Sequence, residues 1–219
     1  MSPTTTPNRC RIVLIAPPGG VLADFDRRLA DAFSGGDVAS ILLPAYDQDD
    51  AAFQAFAERV VPVAQDKGVA AVIAGDSRIA GRVHADGIHV DGRKAALADM
   101  IDRMQDKMMV GAGGAKTRDD ALELGELRPD YLFFGRFGYD NTPAPHPRNL
   151  SLGRWWAEMI QIPCIVLGGT TIESVEPVAA TGADFVALSS AVFADGADAA
   201  GAIARANELL DQSAPRFEG

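Results

Sequence analysis

The chain has 219 residues, of which 47% are hydrophobic and 23% are charged, the composition of an ordinary globular domain. Its formal net charge of −10 argues against a basic surface for nucleic acid, so we expect no nucleic-acid partner. The local basic pairs Arg78/Arg82 and Arg93/Lys94 are either contacts for a small anion or, more simply, solvated helix faces.

In chain order, residues 1–9 are rich in Ser, Thr and Pro and are predicted to be a flexible lead-in. The first apolar run, 12–16, is too short for a signal peptide or a membrane span, and no later run is long enough. We therefore expect one domain over 10–212, a flexible tail over 213–219, no membrane partner and a cytoplasmic location.

Between the two ends, short apolar runs alternate with amphipathic stretches of helical length. The predicted strands are 11–16, 38–43, 69–74, 87–90, 108–111, 131–134, 164–167 and 185–188. The predicted helices are 22–33, 51–67, 77–84, 94–105, 118–127, 152–160, 172–180 and 198–210. Eight regular strand-helix units are what a closed barrel requires.

The strands are continuous apolar runs, such as Ile12-Val-Leu-Ile15, which is typical of parallel strands buried on both faces. We therefore predict the α/β class and a single-domain (β/α)8 TIM barrel, with an open doubly wound sheet as the alternative. Cys10 and Cys164 lack the close spacing of a metal or redox pair, so both are expected to be reduced and neither to be a nucleophile.

Small residues follow the last two predicted strands, where a barrel of this kind holds its ligand. Gly168 and Gly169 let the backbone approach an anion closely, and Ser189 and Ser190 add amide and hydroxyl donors at the next strand end. The sequence therefore predicts a phosphate cradle and a small phosphorylated substrate. Many unrelated barrel enzymes share this feature, so it specifies a ligand group and not a reaction.

The ends of the third and fourth strands offer further candidates. Asp76 is either a ligand of Mg²⁺, which favours one or two carboxylates plus phosphate oxygens, or the N-cap of the following helix. His89 either contacts the ligand or is a hydrogen-bonded packing residue. Asp91 either lines the site or shapes the turn with Gly92.

The fifth and sixth strand ends lead into glycine-rich and proline-rich segments. Residues 110–117 differ from a P-loop because Ala115 precedes the lysine, but their glycines leave amides that could face an anion or simply form a tight turn. Arg136 could reach a phosphate or be an exposed structural residue. The irregular segment 139–149 contains three prolines and is predicted to be a lid over the ligand.

With these residues in place, the chain resembles the thiamine phosphate synthase family, which includes the TenI-like proteins. The resemblance runs from about Val69 to Phe193 and rests on the order and spacing of four blocks. These blocks are Asp86-Gly-Ile-His-Val90, Pro129-Asp-Tyr-Leu-Phe-Phe-Gly135, Val166-Leu-Gly-Gly169 and Gly182-Ala-Asp-Phe-Val-Ala-Leu-Ser-Ser-Ala-Val192.

The resemblance implies a (β/α)8 barrel that joins an aminopyrimidine diphosphate to a thiazole phosphate and releases diphosphate with the help of Mg²⁺. By position, Gly168, Gly169, Ser189 and Ser190 would hold the thiazole phosphate and Asp76 would bind Mg²⁺. The family has a serine at the end of the fifth strand, where this chain has Gly113 or a neighbour, so Gly113 would line the substrate in its place.

The chain also differs from the family pattern. Its second strand reads Ser40-Ile-Leu-Leu-Pro-Ala-Tyr46 where the family has a Gln-x-Arg-x-Lys run, and Arg93 stands where an acid is expected. The lid offers Asn141 and Thr142 in place of a Thr-Lys pair. Three hypotheses follow: a divergent synthase, a TenI-like or otherwise repurposed phosphate-binding enzyme, and an inert binding protein. The chain could also form a homo-oligomer.

Overall fold

Eight parallel strands close into a barrel in a computed structural model that describes residues 6–18 and 24–217. The strands are β1 (Arg11–Ile15), β2 (Ser40–Pro44), β3 (Ala70–Ala74), β4 (Gly87–Asp91), β5 (Met109–Gly113), β6 (Tyr131–Phe134), β7 (Cys164–Leu167) and β8 (Phe185–Leu188). Each strand pairs with the next, and β8 returns to pair with β1. The predicted closed (β/α)8 barrel is confirmed, and the open sheet is excluded.

Helices follow the strands and cover the outside of the barrel. They are α1 (Phe25–Ser34), α2 (Asp50–Gln65), α3 (Ser77–Arg82), α4 (Lys94–Met104), α5 (Arg118–Gly125), α6 (Pro147–Met159), α7 (Val175–Ala179), α8 (Ser190–Phe193) and α9 (Ala199–Ser213). A 3₁₀ turn at Ile172–Ser174 precedes α7. The barrel therefore has its strands inside and its amphipathic helices outside, so both faces of every strand are covered.

All the predicted helices differ from the observed ones by one to five residues at one end or both, and the first, sixth and seventh differ by three residues or more at their starts. The helix predicted at 22–33 appears as α1, and the start of the predicted range lies outside the described residues. The segment predicted at 172–180 is divided between the 3₁₀ turn and α7. Helix α6 starts at Pro147 and not at 152, because the side chain of His146 accepts the Arg148 amide and proline is tolerated at a first helical position.

Two separate apolar clusters hold the strands from inside and outside. The outer cluster lies between strands and helices and includes Ile12, Leu14 and Trp156, all with essentially no exposure. The inner cluster fills the barrel with side chains that alternate with the outer ones along each strand. Its buried members are Val13, Ile15, Leu42, Val72, Tyr131, Phe133, Ile165, Leu167 and Ala187. The barrel interior is therefore a packed core and not a pore.

The amino-terminal edge of the barrel carries a repeated carboxylate contact. Asp86, Asp130 and Asp184 come just before β4, β6 and β8. Each accepts a backbone N–H from the preceding strand, and the donors are Ala71 at 2.8 Å, Val110 at 2.7 Å and Cys164 at 2.8 Å. Because charge-assisted bonds to backbone amides are among the stronger ones, these contacts fix the strand pairs at that edge.

The two ends of the domain meet beside α9. Arg9 is buried, donates to the carboxylate of Asp211 at 2.8 Å and forms an antiparallel bridge with Arg216. Residues 1–5 and 218–219 of the predicted flexible ends lie outside the described residues. The flexibility of the lead-in and of the tail stays a prediction.

Both cysteines are free and buried. Burial raises the pKa of the Cys10 thiol and raises that of Cys164 to about 12, so both stay protonated at neutral pH. This agrees with the expectation that neither is a nucleophile. Within residues 6–18 and 24–217, no helix has the length and apolar character needed to cross a membrane.

The interior packing makes a glycine prediction that can be tested with a matched control. A Cβ added at Gly111 would overlap the ring of Tyr131, whereas one at Gly81, within α3, meets nothing within 4 Å. We expect Gly111→Ala to lower the free energy of unfolding by about 1–3 kcal/mol through overpacking. Gly81→Ala should raise it by about 0.5–1 kcal/mol through helix propensity. Urea unfolding measures both changes. If Gly111→Ala had the same free energy of unfolding as the wild type, the Tyr131 ring could not lie against Gly111.

Candidate functional site

All nine residues predicted for the site lie at the carboxyl-terminal edge of the barrel, which we call the mouth. The strands that position them are β3 to β8. His89 lies within β4, two positions before its end, and the other eight residues end a strand or follow one within two positions. These residues are Asp76, His89, Asp91, Gly113, Arg136, Gly168, Gly169, Ser189 and Ser190. Parallel pairing accounts for this placement, because it brings the ends of all the strands to one edge.

His89 lies on the inner face of β4 and is only 3% exposed. Its Nδ1 is 2.9 Å from the hydroxyl of Tyr131, and the two rings stack with centroids 5.7 Å apart. Its Nε2 is buried without a hydrogen-bond partner among the described residues. Desolvation lowers the pKa of His89 to about 3, so the imidazole is neutral and has one ring nitrogen available to a ligand.

Gly113 is the neighbour that lets His89 and Asp91 stand at the mouth. A Cβ at Gly113 would come within 2.7 Å of His89 Nε2 and 3.1 Å of an Asp91 carboxylate oxygen. Asp91 has solvent access, yet the surrounding protein raises its pKa through desolvation, and the charges of Arg136 and Lys116 oppose that rise. The glycine thus makes space for two polar groups that a side chain would displace.

Arg136 follows β6 and is exposed at the mouth. Its guanidinium lies over the ring of Tyr139, 3.9 Å from the centroid, an arrangement that holds the cation in place. Its positive charge also opposes the rise in the pKa of Asp91 that desolvation causes. Arg136 is therefore positioned near the carboxylate of the fourth strand and available to an anionic group.

The ends of β7 and β8 are neighbours, as the predicted cradle requires. Leu167 pairs with Ala187 in the sheet, and the Gly168 amide donates to the Ala187 carbonyl at 2.9 Å. Gly168 also lies against Ser174, since an added Cβ would come within 3.0 Å of the Ser174 hydroxyl oxygen. The hydroxyls of Ser174 and Ser189 are buried without partners among the described residues.

The loop between β6 and α6 covers these two strand ends. The Ser190 amide donates to the Asp140 carboxylate at 2.7 Å, and the Thr170 amide donates to the Thr142 carbonyl at 2.8 Å. A Cβ added at Gly169 would overlap the carbonyl oxygen of Pro143. The predicted lid is therefore in contact with the cradle, but it ends at His146, three residues before its predicted limit, because α6 begins at Pro147.

Asp76 caps α3 in the structure. Its carboxylate accepts the Arg78 amide at 2.8 Å, and both of its oxygens also accept the Arg78 guanidinium Nε at 3.0–3.1 Å. The Arg78 contact lowers the pKa of Asp76 to about 2. Within the described residues, no group of three His, Cys, Asp or Glu side chains could hold a metal ion. The N-cap alternative is thus observed, and the Mg²⁺ role stays a prediction.

Sequence reasoning missed several residues of the mouth, and two of them lie in the loop after β6. Asp140 lies in the predicted lid, but only its neighbours Asn141 and Thr142 were considered as ligand contacts. Phe137 packs edge-on against His89 with centroids 5.1 Å apart and stacks on Phe133. An acidic side chain in a loop next to an anion cradle was the signal available for Asp140. No sequence pattern indicates the direction in which Phe137 points.

Comparison with known proteins gives consistent matches over most of the chain. The sequence profile of the family described as thiamine monophosphate synthase matches residues 12–192. A thiamine-phosphate synthase of Rhodospirillum centenum is 31% identical over 202 residues, covering 92% of this chain and 98% of the relative. A thiamine-phosphate synthase of Hyphomonas neptunium is 31% identical over 222 residues, covering 98% of this chain and 100% of the relative.

Solved structures show the same fold at lower identity. A thiamine phosphate pyrophosphorylase from Pyrococcus furiosus has a TM-score of 0.76 and 19% identity, covering 94% of this chain and 97% of that chain. The (S)-3-O-geranylgeranylglyceryl phosphate synthase of Thermoplasma acidophilum has a TM-score of 0.63 and 16% identity, covering 93% and 94%. At these identities the similarity shows the barrel fold alone.

Burial of His89 predicts an acid-dependent loss of stability. Its folded pKa of about 3 lies below the ordinary value of 6.5, so the unfolded chain takes up the proton first as pH falls. The free energy of unfolding should therefore decrease below about pH 6.5, by up to about 1.4 kcal/mol per pH unit, until about pH 3. Urea unfolding at several pH values should show a shallower decrease in His89→Asn. The exposed His84→Asn is the control, and equal slopes in all three proteins would contradict a buried neutral imidazole.

The Asp76 cap predicts a difference between two substitutions at one position. Asp76→Ala removes the acceptor for the Arg78 amide and should lower the free energy of unfolding by about 1 kcal/mol. Asp76→Asn keeps a side-chain oxygen that can cap α3 and should change it by only a few tenths of a kcal/mol. Chemical denaturation measures both. Equal losses in the two variants would show that the ion pair with Arg78, and not the cap, is what stabilises this turn.

Proposed function

Because the chain belongs to the thiamine monophosphate synthase family, we propose that it is a transferase of thiamine biosynthesis that joins an aminopyrimidine diphosphate to a thiazole phosphate and releases diphosphate. The family match supports an enzyme of this type, and the names of the two relatives support the reaction. Both substrates are small and phosphorylated, so the site must receive anions on a chain whose net charge is −10.

One observation carries the proposal for the phosphate: the amide at the start of α8 already holds an anion. The Ser190 N–H donates to a carboxylate that comes from another loop. A backbone N–H that donates to a carboxylate oxygen in this position can equally donate to a phosphate oxygen. We propose that Gly168, Gly169, Ser189 and Ser190 hold the thiazole phosphate when it replaces that carboxylate.

The opposite side of the mouth offers groups for the pyrimidine and its diphosphate. Arg136 and Lys116 provide positive charge near Asp91, and Gly113 leaves space beside them. His89 contributes a buried Nε2 that is free to hydrogen-bond a ring or hydroxyl of the substrate. In the proposed reaction these groups position the two partners and stabilise the negative charge of the departing diphosphate.

The present geometry does not fit a bound Mg²⁺ ion. Both Asp76 oxygens accept the Arg78 guanidinium, and Arg78 would have to release them before the carboxylate could bind a cation. The Mg²⁺ role of Asp76, a cytoplasmic location and assembly into a homo-oligomer all stay predictions.

The reaction is tested by supplying the purified protein with both precursors and Mg²⁺ and measuring thiamine phosphate by chromatography. Product above that of a protein-free sample supports the proposal. Without product, a rise in melting temperature with thiazole phosphate would indicate a phosphate-binding barrel of another function. Product that persists with EDTA in Asp76→Ala would remove the proposed metal role.

The unpartnered nitrogen of His89 gives the activity prediction. Asn at this position keeps an atom near Nδ1 to meet Tyr131 but lacks one near Nε2, whereas Gln reaches the Nε2 position. If Nε2 binds substrate, His89→Asn should lower kcat/KM by about tenfold, the equivalent of one lost hydrogen bond of about 1.4 kcal/mol. His89→Gln should retain more activity. Equal kinetics in the wild type and His89→Asn would exclude a contact with substrate.

A further inference from the structure

Asp140 makes a contact that an incoming phosphate would have to break. Its carboxylate accepts the Ser190 amide at 2.7 Å, although the two residues are 50 positions apart in the chain. The side chain belongs to the loop between β6 and α6 and is only 7% exposed. The amide is the first of α8, a helix of four residues that follows β8 directly. A buried anion of the chain itself therefore lies on the donor expected to receive phosphate.

The carboxylate has no cationic partner among the described residues. The ion pairs in residues 6–18 and 24–217 are formed by other acids. The pKa of the neighbouring Tyr46 is raised mainly by burial of its hydroxyl and, to a smaller extent, by the negative charge of Asp140. A buried charge without a counter-ion is unfavourable unless hydrogen bonds stabilise it, so the Ser190 amide is the main stabilising contact described for this carboxylate.

Near Asp140, the segments that follow β7 and β8 contain two further polar groups without a hydrogen-bond partner among the described residues. The Ser189 hydroxyl is next to the bonded amide in sequence and the residue is 2% exposed, while Ser174 lies against Gly168 and is 3% exposed. Neither hydroxyl oxygen has a hydrogen-bond partner within the described part of the chain. Buried polar groups are normally satisfied, so these two hydroxyls indicate a ligand at the ends of β7 and β8.

The loop that carries Asp140 is attached at other points as well. The Thr170 amide donates to the Thr142 carbonyl at 2.8 Å, and the Thr171 hydroxyl donates to the Pro143 carbonyl at 3.3 Å. All these loop groups are acceptors, and they occupy donors of the segment after β7. A phosphate is also an acceptor. It can therefore bind one of these donors only if the loop group that now accepts from that donor moves away.

We propose that Asp140 is a specificity-determining residue that competes with phosphate for the Ser190 amide, so that a phosphorylated ligand binds only by displacing this carboxylate and its loop. The inference rests on the proposed function, because it assumes that a phosphate ester is the ligand. It follows that removing the Asp140 charge makes the mouth bind phosphate more tightly. The competition also excludes ligands whose anionic group binds too weakly to displace the carboxylate.

Binding of inorganic phosphate and of diphosphate to the full chain tests the proposal without turnover. Isothermal titration calorimetry at constant ionic strength would compare the wild type with Asp140→Ala and Asp140→Asn. We expect Asp140→Ala to bind at least about tenfold more tightly, a difference of about 1.4 kcal/mol. Asp140→Asn should lie between the two proteins, because its amide oxygen can still accept the Ser190 N–H without the negative charge.

An exposed acid provides the charge control. Asp47 follows β2 on the same edge of the barrel and is exposed, so Asp47→Asn removes one negative charge without touching the Ser190 amide. It should bind phosphate as the wild type does. Circular dichroism and melting curves establish that each variant is folded, and Asp140→Asn preserves the test if Asp140→Ala is unfolded.

Two results would overturn the inference. One is phosphate affinity in folded Asp140→Asn and Asp140→Ala that does not exceed that of the wild type. The other is an equal gain in Asp47→Asn, which would make the effect one of general charge. The synthase assay gives a separate answer, because a chain that forms no thiamine phosphate but binds phosphate tightly as Asp140→Ala would contradict the proposed function and support the role of Asp140.

Discussion

The parallel pairing of β8 with β1 is the contact on which the rest of the molecule depends. It joins the two ends of the sheet from Arg11 opposite Phe185 to Leu14 opposite Leu188 and so leaves no exposed sheet edge. Since all neighbouring strands are parallel, their carboxyl-terminal ends all lie at the mouth. The carboxylate of Asp140, which follows β6, can therefore reach the amide of Ser190, which follows β8.

The apolar runs of the sequence predicted the strands well because their signal is local. The ranges 131–134, 164–167 and 185–188 have the same bounds in the structure, where each strand is flanked by proline or aspartate on its amino-terminal side. The start of α6 could not be predicted from a local pattern of this kind. Pro147 follows two other prolines and looks like part of a loop, and only the folded chain shows that His146 caps a helix there.

The common position of the candidate residues at the mouth was predictable from topology, but the contacts among them were not. His89 meets Tyr131 from 42 residues away, and Asp140 meets Ser190 from 50 residues away. Such contacts depend on strand register and on the path of a loop, neither of which leaves a periodic pattern. At Asp76 the sequence left a cap and a metal ligand open, and a cap with an arginine partner is what the local turn forms.

The acidic side chains of the mouth share one arrangement, in which each lies near a hydrogen-bond donor or a cation of the protein. Asp76 faces the Arg78 guanidinium, Asp140 faces the Ser190 amide, and the charges of Arg136 and Lys116 act on Asp91. The Ser190 amide and the Arg78 guanidinium are thus bonded to acids of the protein, whereas Arg136 and Lys116 act on Asp91 through their charge alone. Under the proposed function, a phosphate that binds the Ser190 amide exchanges one anion contact for another, so its affinity depends on the difference between the two contacts and not on the number of donors. In such a site, weakening an internal contact is as effective as adding a donor.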